Sequence, residues 1–132
     1  GMPMTLAAPE GFQFTPQFLQ RLTQRYPNHN VLCTSEPDAA VRTADIVYTN
    51  VWASMGQEDD ADRLQIAFAD FQVNSRLMAL APPSVVFMHD LPAKRGLEVT
   101  DDVIDGPQSI VFSQAENRMH LAKGLFAWLL SH

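Results

Sequence analysis

The sequence is poor in cysteine, in basic charge and in long apolar runs, and each shortage removes a class of protein. One cysteine, Cys33, permits no intrachain disulfide and gives no sign of an oxidising compartment, so the cytoplasm is the expected location. Lys and Arg number 9 against 15 Asp and Glu, a net charge of −6. Nucleic acid and anionic membranes both require a basic footprint, and neither is expected as a partner. Apolar runs such as Leu77 to Ala81 and Ser84 to Met88 fall far short of the roughly 18 residues of a membrane span. Gly96 and Gly106 are isolated loop glycines, with no dinucleotide fingerprint around them. The 4 histidines lack metal-ligand spacing, so no metal or other cofactor is expected.

What is present is the material of one globular domain. Hydrophobic residues make up 46% and charged residues 18% of the 132 positions, enough to bury roughly two-thirds of the surface of the unfolded chain. Gly1 ahead of Met2 reads as a processing remnant, which leaves residues 2–132 as a single domain.

Short β-rich runs alternate with helical patterns, the signal for βαβ units and a parallel sheet. Strands are expected at Met4 to Ala8, Asn30 to Thr34, Ile46 to Thr49, Ser84 to His89 and, as a short last strand, Ser109 to Phe112. Thr15 and Pro16 open a helix whose apolar residues Phe18, Leu19, Leu22 and Tyr26 share a face until Pro27. Further helices are expected from Ser35 or Pro37 to Val41, over Gln57 to Ala69, over Asn74 to Ala81 and over Gln114 to Leu130, with one turn at Asp101 to Ile104. The fold class is therefore α/β, a three-layer Rossmann-like parallel sheet with helices on both faces.

In such sheets ligands sit outside the carboxyl ends of the strands. That places the site on Asn50-Val51-Trp52-Ala53-Ser54-Met55-Gly56, after the third strand, and on His89-Asp90-Leu91-Pro92-Ala93-Lys94-Arg95-Gly96, after the fourth. Trp52 either walls a pocket or covers the sheet end. His89 and Asp90, adjacent on a strand, are expected to point to opposite faces and so not to form a dyad. Lys94 and Arg95 are either solvated or drawn to an anion.

These segments resemble those of the ornithine carbamoyltransferases, in the wider aspartate and ornithine carbamoyltransferase family. Members carry an Asp-x-Trp-x-Ser-Met-Gly segment, a His-Cys-Leu-Pro segment and a later Glu-Asn-Arg. The corresponding text is Asn50-Val51-Trp52-Ala53-Ser54-Met55-Gly56, His89-Asp90-Leu91-Pro92 and Glu116-Asn117-Arg118. Flanking segments agree as well, among them Phe71-Gln72-Val73-Asn74, Glu98-Val99-Thr100-Asp101 and Asp105-Gly106-Pro107-Gln108-Ser109. The similarity covers nearly the whole chain.

The resemblance implies carbamoyl transfer from carbamoyl phosphate to the amine of ornithine, giving citrulline, a step of arginine metabolism. It implies substrate binding by Asn50, Ser54, Met55 and Leu91, a contact to carbamoyl phosphate by Arg118, and His89 with Asp90 at the catalytic segment. Asn50 stands where the family has an acid, and Asp90 stands where it has cysteine; a carboxylate there attracts a cationic amine and repels carbamoyl phosphate.

No Ser-x-Arg-Thr-Arg phosphate segment occurs in the chain. The family's strand of the type Val-Gly-Asp-Gly-Asn, central in the expected order, is likewise missing. The chain is expected to be a truncated domain, inactive alone, whose strands either close the gap or borrow a partner. The alternatives are half of a split carbamoyltransferase completed by another chain, or a small amino-acid-binding module. The apolar stripe of the last helix, Ala115, Met119, Ala122, Phe126 and Leu129, is expected to be exposed on a monomer and to favour a homo-oligomer.

Overall fold

A computed structural model describes residues 2–53, 56 and 58–131. Strand β1 (Met4–Ala7) is followed by helix α1 (Pro16–Arg25), strand β2 (Val31–Thr34), helix α2 (Pro37–Val41) and strand β3 (Ile46–Thr49). A 3-10 turn at Glu58–Asp60 leads into α3 (Ala61–Phe68), and another at Ala69–Phe71 precedes α4 (Ser75–Met78). Strand β4 (Val86–His89), the short α5 (Asp101–Ile104) and the long α6 (Val111–Ser131) complete the order. The alternation of parallel strands with helices is the α/β class expected from the sequence.

Local chemistry accounts for the boundaries. Thr15 Oγ1 accepts from the Phe18 N–H at 3.2 Å, and Pro16 supplies a pre-set first helical position, so α1 begins where its cap stands. Asn74 Oδ1 accepts from the Leu77 N–H at 3.0 Å to start α4. That helix is shorter than its pattern implies, because Leu80 and Ala81 bond back to Leu77 and Met78 in tight i→i+3 fashion ahead of Pro82. The helix expected over Gln57 to Ala69 is α3 with a 3-10 turn on each side, residue 57 lying outside the described residues.

One expected strand is absent as such. Ser109 makes a single parallel bridge to Phe87, through Phe87 N–H to the Gln108 carbonyl (2.8 Å) and Ile110 N–H to the Phe87 carbonyl (3.0 Å). The chain then turns at once into α6. The β-branched run at Ile110 and Val111 reads as strand, but fully buried Val111 spends its bulk at the start of a helix packed on β4.

The strands pair in parallel as β1–β2, with Met4 opposite Val31 and Ala7 opposite Thr34, and as β3–β4, with Ile46 opposite Val86 and Thr49 opposite His89. Of the two expectations, a closed gap and a borrowed partner, the first is not met: the described residues form two two-stranded ladders rather than one continuous sheet. Ring contacts link the two sides at their carboxyl ends. Phe68 meets Phe12, from the loop after β1, at 5.0 Å and Trp52, from the loop after β3, at 6.0 Å.

The core gathers on one side. Val41, Val47, Val73, Leu77, Met78, Val85, Phe87, Val99, Val103, Ile104 and Val111 form one cluster of buried residues. Each large apolar side chain withdrawn in this way contributes about 1.5–3 kcal/mol. No residue of α1 is buried.

Candidate functional site

The register Thr49–His89 sets the carboxyl ends of β3 and β4 side by side, so Asn50 and Asp90 leave the sheet at neighbouring positions. At the first end, Asn50 is exposed and its Oδ1 accepts from the Val51 N–H at 2.7 Å. Trp52 is half-buried and stacks on Phe68 at an interplanar angle of 27°. Ser54 and Met55, also expected in the site, lie outside the described residues.

The second end is built around a buried pair. His89 and Glu98 are both fully buried, with His89 Nε2 3.2 Å from Glu98 Oε1. The Leu91 N–H donates to His89 Nδ1 at 2.9 Å. With Nδ1 accepting, the ring proton sits on Nε2 and is donated to the carboxylate. Glu98 Oε1 also accepts from the Lys94 N–H at 2.6 Å, and the His89 N–H donates to Gln114 Oε1 at 3.1 Å. The imidazole and the carboxylate thus tie β4 to the following loop, and the His89 N–H ties β4 to α6. Leu91 holds φ +55°, an uncommon conformation for a branched side chain that survives only where its surroundings over-determine it. Its N–H on His89 and its packing against the core supply that constraint.

The expectation that His89 and Asp90 point apart does not hold. Asp90 Oδ1 lies 3.4 Å from His89 Nδ1, while the Asp90 side chain as a whole is 39% exposed. Strand alternation predicts opposite faces, but β4 ends at His89 and the alternation stops there. Asp90 Oδ1 and Glu98 Oε2 are buried and find no hydrogen-bond partner among the described residues.

Arg118, on α6, donates from Nη1 to the Asp90 carbonyl at 3.2 Å. It therefore reaches the Asp90–Leu91 turn and spends one of its donors there. Arg95 is held by Asp105 at 2.6 and 2.9 Å and by Asp101 at 2.7 Å. The two carboxylates push its pKa further above the ordinary guanidinium value, and Arg95 in turn holds the Asp105 carboxyl below its usual range. Arg95 is 41% exposed, and the anions it meets are carboxylates of the same chain, at the two ends of α5. Gly96, at φ +82°, takes the left-handed turn that lets its N–H meet the Val99 carbonyl at 2.8 Å, and Gln72 Nε2 clips the turn through the Gly96 and Leu97 carbonyls at 3.0 and 2.8 Å.

The structure accordingly brings Asn50, His89, Asp90, Leu91 and Arg118 to one end of the β3–β4 ladder. Glu98 and Gln114 were not singled out as site residues by sequence reasoning. The signal for Glu98 is faint, a lone acid between apolar Leu97 and Val99; Gln114 carries none, because a polar residue in the first turns of a helix is ordinary. A cleft of about 350 Å³, lined by Ser75, Met78, Pro83, Asp102, Val103 and Gln108, lies at the amino end of β4, away from this cluster. Its Asp102 carboxyl is held below the usual range by the Ser75 hydroxyl and then by Thr100.

Residues 1–129 match the family model for the aspartate/ornithine carbamoyltransferase Asp/Orn-binding domain. The chain is 43% identical over 130 residues to an ornithine carbamoyltransferase of Methanosarcina mazei, covering 98% of this chain and 42% of that protein. It is 47% identical over 133 residues to that of Mycolicibacterium smegmatis, covering 98% and 43%. Among solved structures, it is similar to ornithine carbamoyltransferase from Pyrococcus furiosus, with a TM-score of 0.84, 44% identity, and coverage of 96% of this chain and 41% of that one. The anabolic ornithine carbamoyltransferase of Campylobacter jejuni gives a TM-score of 0.87 at 25% identity, covering 99% and 44%. The chain therefore spans about two-fifths of the length of the relatives it matches.

Proposed function

The chain belongs to the aspartate/ornithine carbamoyltransferase family, as its Asp/Orn-binding domain, and from that premise we propose that it binds an amino acid of the ornithine class without transferring carbamoyl groups by itself. The binding site in this reading is the carboxyl end of β3 and β4. Asn50 offers an amide oxygen to an ammonium group, Asp90 supplies the negative charge that Asn50 lacks, and Leu91 packs along the aliphatic stem. His89 is a positioning residue, since its ring is fully buried and engaged by Leu91 and Glu98.

The observation that carries the second half of the proposal is how the nearby cations are occupied. Carbamoyl transfer has to stabilise a developing oxyanion and a departing phosphate, which calls for several converging positive groups. Arg95 is committed to Asp101 and Asp105, and Arg118 already donates to the Asp90 carbonyl. Asp90 adds a negative charge where phosphate would have to approach.

Calorimetric titration of the purified chain with ornithine, lysine and aspartate, paired with a citrulline assay in the presence of carbamoyl phosphate, tests both halves. Heat with ornithine or lysine and none with aspartate, without citrulline above background, is the expected result. Citrulline at an enzyme-like rate overturns the claim of inactivity, and no heat with any of the three at millimolar concentration overturns binding.

A second reading takes the chain as half of a divided carbamoyltransferase, because Arg95 and Arg118 are engaged within the chain and the phosphate site would have to come from elsewhere. In that reading a separate chain bearing a Ser-x-Arg-Thr-Arg segment supplies the phosphate site. Mixing the two chains then produces citrulline that neither produces alone.

A further inference from the structure

Helix α6 leaves the body of the molecule after its first two turns. Val111 is buried and Gln114 and Ala115 are half-buried, but every residue from Glu116 to Ser131 is exposed. This is an apolar helix: Phe126 is 65% exposed, Leu129 55% and Met119 48%. Residues of this kind in water mark a surface awaiting an occupant.

The spacing along α6 identifies the occupant. Phe112, Ala115, Met119, Ala122, Phe126 and Leu129 recur at intervals of three and four, the heptad seam of a two-stranded coiled coil. Laid against a second copy running the opposite way, the seam is self-complementary in volume. Phe112 faces Leu129, Ala115 faces Phe126 and Met119 faces Ala122, so that two of the three layers match a large side chain with a small one. The flanks agree in charge as well: in that register Glu116 lies opposite Lys123 of the second copy, twice by symmetry. A parallel pairing instead sets Arg118 of one helix against Lys123 of the other. The exposed seam residues together with Leu125 and Leu130 present roughly 600–700 Å², close to the about 800 Å² per partner of a standard interface.

We infer that α6 is a self-association surface, and that two copies of this chain dimerise through an antiparallel α6–α6 pair. The dimer is independent of the ligand reading above, because no seam residue is among those placed at the ligand end of β3 and β4.

Sedimentation equilibrium of the 132-residue chain over a wide micromolar range tests it. A monomer–dimer equilibrium is expected, and Phe126→Asp abolishes it with the circular dichroism of the body unchanged. Glu116→Lys and Lys123→Glu each weaken the dimer by about fivefold, and the double reversal restores it. In a Cys33→Ser background, a mixture of Phe112→Cys and Leu129→Cys chains cross-links, whereas Phe112→Cys alone does not, since those positions lie about 25 Å apart along each helix. A chain that is monomeric at every concentration overturns the inference. So does a dimer indifferent to Phe126→Asp and to the charge reversals, or one in which Phe112→Cys links to itself.

Discussion

The two ladders of this molecule are equal in length and opposite in burial. β1–β2 and β3–β4 each pair four residues with four in parallel register. Around β3–β4, eleven apolar residues form a buried cluster, and Phe87 is completely enclosed. In the first ladder and its helix α1, by contrast, no residue is buried; Leu32 is 60% exposed, Met4 48% and Phe18 40%. Ladder hydrogen bonds alone do not make a core. They exchange bonds to water for bonds within the chain at a small net gain, whereas layers packed on the faces of a sheet remove apolar area from water. The β3–β4 pair has such layers in α4, α5 and the start of α6. The β1–α1–β2 unit has the amphipathic pattern of a half-buried unit with little laid against it.

Substitution in the two ladders should expose this difference most sharply. Phe87→Ala is expected to cost about 3–5 kcal/mol, and Leu32→Ala less than about 1 kcal/mol. Urea denaturation of both variants checks the contrast, and similar midpoints would show that the first ladder carries as much of the fold as the second. Hydrogen exchange of the unsubstituted protein gives the same test without a variant: amides of β4 outlast those of β1.

Next in size is the buried pair. Glu98→Ala leaves the His89 Nε2–H and the Lys94 N–H without their acceptor in a dry site, at an expected cost of about 2–4 kcal/mol. Glu98→Gln keeps an acceptor oxygen and should recover part of it. Thermal unfolding of the two variants reads this: a loss in Glu98→Gln equal to that in Glu98→Ala would show that the carboxylate charge, and not the shape or the retained acceptor, holds the pair.

A smaller effect is expected at the ligand end. Asn50→Asp restores an acid beside the candidate amine position, and a charge-assisted bond in place of a neutral one should tighten ornithine by about fivefold at low salt. Calorimetry at two ionic strengths reads it; an affinity unchanged at both would place the amine elsewhere.

The smallest expected effect is on the acid limb of stability. Asp105 and Asp38 have carboxyls held low by Arg95 and Arg76, and Asp102 by Ser75. With the folded pKa below the unfolded one, the unfolded chain binds more protons between the two values. The contribution is therefore present above the unfolded carboxylate pKa of about 3.9 and lost as pH falls through the folded value. Arg95→Met should flatten this limb below about pH 4 and leave neutral-pH unfolding nearly unchanged, because the pair is exposed and screened.

Much of this organisation was legible in the residues. Thr15-Pro16 announced α1, Ile46 to Thr49 announced β3, and the continuous apolar run before His89 announced β4, because each signal is local. The site was legible as two segments, Asn50 to Gly56 and His89 to Gly96, since parallel sheets present their ligands at strand ends. Three features were not. Ile110 and Val111 carry strand composition but sit at a bridge and a helix start; strand periodicity sent Asp90 away from His89; and nothing in the sequence matched Glu98 to His89 or Arg95 to Asp105.

The sequence by itself determined the order and type of all the elements but the expected last strand, and the family to which the chain belongs, since periodicity, caps and motifs act over a few residues. Only the tertiary structure decided that the strands stand as two pairs and that burial falls on one of them. It also decided the partners of His89 and Arg95. These depend on register and on turns such as the one at Leu91, where a backbone angle changes which side chains meet, and no local pattern encodes such an angle.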